Sequence, residues 1–312
     1  MRNISKLEIR NPKSEIHFAL QWVLPALIYF LPVVSGAADS AATEALLQTG
    51  TTELSSRNFE AARELFGSVI KETGPGTEPW AHAVFGVAVS AHQRSPSTRK
   101  GVEEAERLYR LLLEKAAGSK FAPRAVLSLG RLAELRDYYE DPVDLETARQ
   151  WYRRVIDDWP ELPIAGEATL RLSATFVQTY DPALVRHGVA MLESWLATRE
   201  NEPLAAGMWQ YLGDTYFSPL ADHESSLRCY RKAESIGFLD ANNVGTLFWR
   251  MAVLAERFVK DRERAVEYYG KVIRSGAASG KGYQAQISLE RLGAPVPKLK
   301  LYEPVAHARP PE

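Results

Sequence analysis

The stretch ETARQWYRRVIDDWP, Glu146 to Pro160, places its apolar residues at helical intervals. Ala148 is followed by Tyr152 four residues on and by Val155 three further, so the three share one face of a helix. Pro160 cannot continue a helix and marks where this one must have stopped. The set recurs along the chain. Ala62, Phe66 and Val69 repeat it, as do Ala105, Tyr109 and Leu112, and Ala265, Tyr269 and Val272. Ser226, Tyr230 and Ala233 form a softer copy, and Gly188, Leu192 and Trp195 fit best in HGVAMLESWLAT.

Ahead of each such helix the sequence predicts another, marked by leucine or an equivalent followed by a small residue. Leu129-Gly130 and Leu212-Gly213 carry this mark cleanly, Phe85-Gly86 and Leu172-Ser173 nearly so. The small positions are read as Gly50, Gly86, Gly130, Ser173, Gly213, Val253 and Gly293, at intervals of 36, 44, 43, 40, 40 and 40. Leu292-Gly293 would then open a last copy lacking its second helix. A period in this range, sustained over most of the chain, predicts a helical solenoid. The small residue and the alanine are expected to face each other where paired helices approach, with the aromatic filling the wider space beside the crossing.

Trp209, Leu212, Gly213 and Tyr216, then Ser226, Tyr230 and Ala233, resemble the tetratricopeptide repeat, as do Ala148, Tyr152, Val155 and Pro160. The resemblance runs from about Thr43 to Gly293. It implies an all-α, right-handed superhelix of antiparallel helix pairs, about six repeats and a terminal helix over residues 38–293. Family repeats hold about 34 residues. The excess here falls in turns rich in proline, charge or turn formers: RSPSTRKG, RDYYEDPVD, TYDPALVRH and FSPLADHE. The junction VIDDWPELPIAGEATLRLS is similar to those of bacterial cell-envelope repeat proteins, among them outer-membrane assembly lipoproteins and the periplasmic coordinator of the Tol–Pal system.

The N-terminus points the same way. Arg2, Lys6, Arg10 and Lys13 outnumber Glu8 and Glu15, an uncharged run follows from Phe18 to Val34, and Ser35-Gly36-Ala37 supplies small residues. This is the pattern of a signal peptide over residues 1–37 with a mature start at Ala38. The competing reading is an inner-membrane anchor through residues 18–34. At about 1.5 Å per residue that run spans roughly 25 Å, less than the ~30 Å hydrocarbon core, and Pro25 and Pro32 interrupt it. No lipobox cysteine stands at the end of this segment, which argues against a lipoprotein. The expected location is therefore the periplasm or another exported compartment. Such compartments are usually oxidising, yet Cys229 is the only cysteine, so no disulfide can form within the chain and stability must come from packing.

Chemistry is sparse. A formal net charge of −1 offers no electrostatic case for nucleic acid. The six histidines, at 17, 82, 92, 187, 223 and 307, show no metal-ligand spacing. GAASGKG, Gly276 to Gly282, is one residue short of a phosphate loop and has Gly282 where serine or threonine is needed; it reads as a helix connector. Asp157 and Asp158 are adjacent, so on a helix they point apart. Tyr138-Tyr139 is either a contact patch or a brace for its turn. Trp80, Trp151, Trp159, Trp195, Trp209 and Trp249 stand at packing positions. No catalytic constellation, cofactor or metal is expected. The tail, residues 294–312, holds five prolines and reads as extended, either docked through Leu299 and Leu301 or disordered.

The resemblance implies an exported scaffold or adaptor that binds a protein or peptide partner, without catalysis. Two alternatives remain: a receptor for glycan or cell-wall fragments, and an enzyme with an unrecognised site. In the family, first helices line the binding groove. The residues one turn either side of the small position are Arg124, Arg131, Glu134, Gln178, Gln210, Asp214, Arg250 and Arg257. They lack the lysine and asparagine ring by which co-chaperone repeats clamp a C-terminal carboxylate. The competing reading is that they form ion pairs between neighbouring repeats.

Overall fold

The computed structural model describes residues 38–134, 143–199, 202–240, 243–275 and 280–298. The leader, Tyr138-Tyr139 and the tail beyond residue 298 lie outside them. Among the described residues every regular element is helical. The helices are α1 (Ala38–Ser55), α2 (Phe59–Glu72), α3 (Glu78–Gln93), α4 (Arg99–Lys115), α5 (Ala122–Glu134), α6 (Leu145–Asp158), α7 (Pro163–Val177) and α8 (Pro182–Ala197). After these come α9 (Ala205–Phe217), α10 (His223–Ile236), α11 (Val244–Val253), α12 (Arg262–Arg274) and α13 (Gly280–Arg291). They pack as six consecutive pairs and a terminal helix, and α1 touches α3, α5 touches α7, and α11 touches α13. This is the tetratricopeptide-type arrangement of helix pairs. The helices gather into two compact units, divided at Glu202 and Pro203.

The recurring triplet forms the buried face of the second helices. Ala62, Phe66 and Val69 are fully buried, as are Ala148, Tyr152 and Val155, and Ser226, Tyr230 and Ala233. The glycines of the first helices receive the aromatic ring itself. A Cβ added at Gly130 would lie 2.5 Å from Tyr152 Cε1, one at Gly213 2.8 Å from Tyr230 Cε1, and one at Gly86 2.3 Å from Phe66 Cε2. Real Cβ contacts are not that close, so the ring fits only because the glycine has no side chain. Where the crossing carries a hydroxyl, it bonds across the gap: Ser173 Oγ donates to the Gly188 carbonyl at 2.8 Å and Ser226 Oγ to the Gly213 carbonyl at 2.7 Å.

Three register expectations change. In α8 the third buried residue is Leu196, and Trp195 turns half out of the core. Around the end of α11 the buried small residues are Ala252 and, just beyond the helix, Ala255, while Val253 is half-buried. A π-helical turn, Leu254–Val259, follows, where the wider turn breaks the 3.6-residue spacing. Gly293 lies beyond α13 at φ 64°. There it ends the helix: its N–H bonds to the Glu290 carbonyl and that of Ala294 to the Leu289 carbonyl, a left-handed cap suited to glycine.

One turn assignment also shifts. Pro182 is the first residue of α8, where a missing N–H costs nothing, so most of TYDPALVRH is helix. Asp144, Asp181, Asp222 and Asp261 cap α6, α8, α10 and α12, each accepting from backbone N–H groups of the first turn. These bonds to Thr147 hold the Asp144 carboxyl below its ordinary range.

Candidate functional site

Each unit places its share of the expected groove residues on first helices or, for Gln178 and Arg257, just beyond their ends. In the unit holding α1 to α8, Glu134 ends α5 and is only 5% exposed. It accepts a 2.5 Å hydrogen bond from the Tyr152 hydroxyl, and Arg171 Nη1 of α7 stands 3.9 Å away. Arg171 Nε also donates to Glu167 at 2.8 Å. Burial opposes the Arg171 charge, but Glu167, Tyr152 and Glu134 together push its pKa up. Burial, reinforced by Glu134, pushes the Tyr152 hydroxyl well up. Glu134 is thus committed to internal pairing.

The other three residues of this unit are not so committed. Arg131 Nε and Gln178 Nε2 are buried and find no hydrogen-bond acceptor among the described residues. Arg124 is half-buried, and burial lowers its pKa against the weaker pull of Glu167. Next to it, His82 of α3 stacks on Phe121 at 4.5 Å between ring centroids and meets Thr51 Oγ1 at 3.3 Å. Burial, with Lys120 and Arg124 nearby, lowers the His82 pKa to about 4, so the ring is neutral at pH 7. Arg131 and Gln178 thus carry buried donors that the described residues leave without an acceptor, and Arg124 adds a cation two turns before Arg131 on α5.

In the unit holding α9 to α13, Asp214 accepts from the Tyr230 hydroxyl and from Arg250 Nη1, and Arg250 Nη1 also lies 3.2 Å from the Tyr230 oxygen. The sequence brought Asp214 and Arg250 to the same face, and the fold joins them. Gln210 is half-buried one turn earlier on α9, and Arg257 is exposed in the π-helical turn. Glu256 beside it accepts from Tyr269 at 2.7 Å and from Arg291 Nη2. Burial would raise the Glu256 pKa, but these donors hold it below the usual value.

A motif emerges that sequence reading missed. The aromatic position donates its hydroxyl to an acid on the first helix of its own pair, and an arginine of the next first helix meets that acid. Tyr152–Glu134–Arg171, Tyr230–Asp214–Arg250 and Tyr269–Glu256–Arg291 are the three cases. An arginine placed 35 or 36 residues after the acid, as in the last two, was the available signal. The phosphate-loop comparison ends here too: Gly280 to Gly282 form the first turn of α13, and Lys281 Nζ donates to Thr246 Oγ1 at 3.2 Å.

No family model matches the chain, and no curated protein matches it. Among solved structures it is similar to an assembly chaperone of RpL4, Acl4 (residues 1–338), at 17% identity and a TM-score of 0.43, covering 80% of this chain and 96% of that one. It is also similar to human IFIT1, solved as a dimer with PPP-AAAA, at 16% identity and a TM-score of 0.38, covering 80% of this chain and 63% of that one. These scores add nothing to the fold assignment, which rests on the helix pairs.

Proposed function

We propose that the protein is a non-catalytic binding module of the cell envelope that holds an acceptor-rich peptide segment of a partner protein. The carrying observation is the pair of buried donors without acceptors, Arg131 Nε and Gln178 Nε2, with the half-buried Arg124 on the same helix as Arg131. A buried donor left unpaired costs about 1–3 kcal/mol. A partner's carboxylate or main-chain carbonyls would recover that cost, and guanidinium groups suit such acceptors. The strongly perturbed tyrosines are locked to carboxylates and arginines of their own fold, which favours scaffold over catalyst. Export follows from the reading of residues 1–37 as a leader.

The test is a combined Arg124→Ala, Arg131→Ala and Gln178→Ala variant, assayed by thermal unfolding and by recovery of crosslinked partner from the native envelope. The midpoint should be unchanged or raised, because unpaired buried donors have been removed, and the crosslinked partner should be lost. A lowered midpoint with the partner retained would assign these residues to the scaffold.

A further inference from the structure

Residues of α6, α7 and α8, with Thr198 and Arg199 just beyond α8, line an open cleft of about 390 Å³. Its apolar lining is Ile156 of α6, Leu172 of α7, and Met191 and Trp195 of α8. Leu172 belongs to the buried core beneath, and Ile156 and Met191 pack against that core. The cleft is therefore floored by well-packed structure, and Met191 adds an adaptable wall.

Trp195 is the residue that breaks register in α8. Half-buried, it donates Nε1 to Glu202 at 3.2 Å. Glu202 reaches it by lying over Gly166, where a Cβ would come within 2.4 Å of Oε1. Glycine at that position thus leaves room for the carboxylate that accepts from the indole. The opposite requirement, a ring face free for stacking, is partly spent: the Arg199 guanidinium lies 3.5 Å from the ring centroid and donates to Thr198 Oγ1. A fixed aromatic wall with a stacked arginine is a common anchor in protein recognition.

The rim is electrostatically lopsided. Arg153 and Arg199 line the cleft with one acid, Asp157; neighbouring Arg154 is paired with Asp158, and the Glu202 carboxylate is engaged by the Trp195 indole. We propose that this cleft is a second peptide-binding site, taking one phenylalanine or leucine side chain of a partner whose adjacent residue is a carboxylate. The apolar group fills the space between Leu172, Met191 and Trp195. The carboxylate meets Arg153 and Arg199 at the mouth. The volume lies within the 300–1,000 Å³ typical of ligand sites and holds one large side chain together with the main chain on either side of it.

The test uses the full chain and a fluorescein-labelled peptide, Gly-Ser-Asp-Phe-Asp-Ser-Gly, read by fluorescence anisotropy. Binding should saturate, weaken at least tenfold when alanine replaces phenylalanine, and weaken severalfold when lysines replace the aspartates. Ser194→Trp, at an exposed position of the lining, should fill the cleft and abolish binding with an unchanged melting midpoint. Arg153→Glu, also at an exposed position, should reverse the preference between aspartate and lysine peptides. The Arg124, Arg131 and Gln178 variant should bind the peptide undiminished, which separates this site from the first-helix face. No binding of the phenylalanine peptide, equal binding of its alanine form, or an unchanged charge preference in Arg153→Glu would overturn the proposal.

Discussion

Gly67 and Gly130 are both helical glycines, and their surroundings are opposite. Around Gly67 an added Cβ would meet nothing within 4 Å, whereas at Gly130 it would strike Tyr152. Gly67→Ala should therefore stabilise by about 0.5–1 kcal/mol through helix propensity alone. Gly130→Ala should destabilise by about 1–3 kcal/mol, because a fully buried ring has nowhere to retreat. Denaturant titration of the two variants should show shifts of opposite sign; equal shifts would mean that the ring is not seated on the glycine. The recurrence of glycine and aromatic was legible in the sequence because a helix keeps its period. That the glycine receives the ring was not legible, since the approach of two helices is a property of their side chains jointly.

Consecutive first helices are tied by the tyrosine–acid–arginine links, and the depth of each link sets its worth. Arg171 is 93% buried as a side chain, with Glu134 and Glu167 as partners, while the Arg250 side chain is 36% exposed. Removing one partner of a buried pair strands the other and costs about 3–5 kcal/mol; an accessible pair is screened and costs about 1 kcal/mol or less. Arg171→Met should accordingly lower the unfolding free energy severalfold more than Arg250→Met, measured by equilibrium denaturation of both. Comparable losses would show that depth is not the governing variable. Glu134, Asp214 and Arg250 entered the sequence reading as groove residues because they sit one turn or less from a small position. Position on a helix is readable from spacing, but whether a side chain faces a ligand or its own neighbour depends on what the adjacent helix offers. The slips at Trp195 and Val253 have local causes of the same kind. An indole N–H found Glu202 outside the core, and at Val253 the buried places fall to its neighbours Ala252 and Leu254.

At the scale of the whole molecule, the six helix pairs and terminal helix expected from the period are present, and they gather into two compact units. No helix among the described residues is long and apolar enough to cross a membrane; the apolar run Phe18 to Val34 lies outside them. If residues 1–37 are a cleaved leader, protein released by osmotic shock should begin at or next to Ala38 by intact-mass measurement. Recovery of Met1 in a membrane fraction would favour the anchor. Cys229, fully buried in α10, gives the chain one thiol and no internal crosslink. An alkylating reagent can reach that sulfur only when the packing around α10 opens, so its reaction rate is a clock for that opening. Since the chain has a single thiol, every modified molecule records the same event, and the labelling half-life reports how often this unit breathes without any engineered probe.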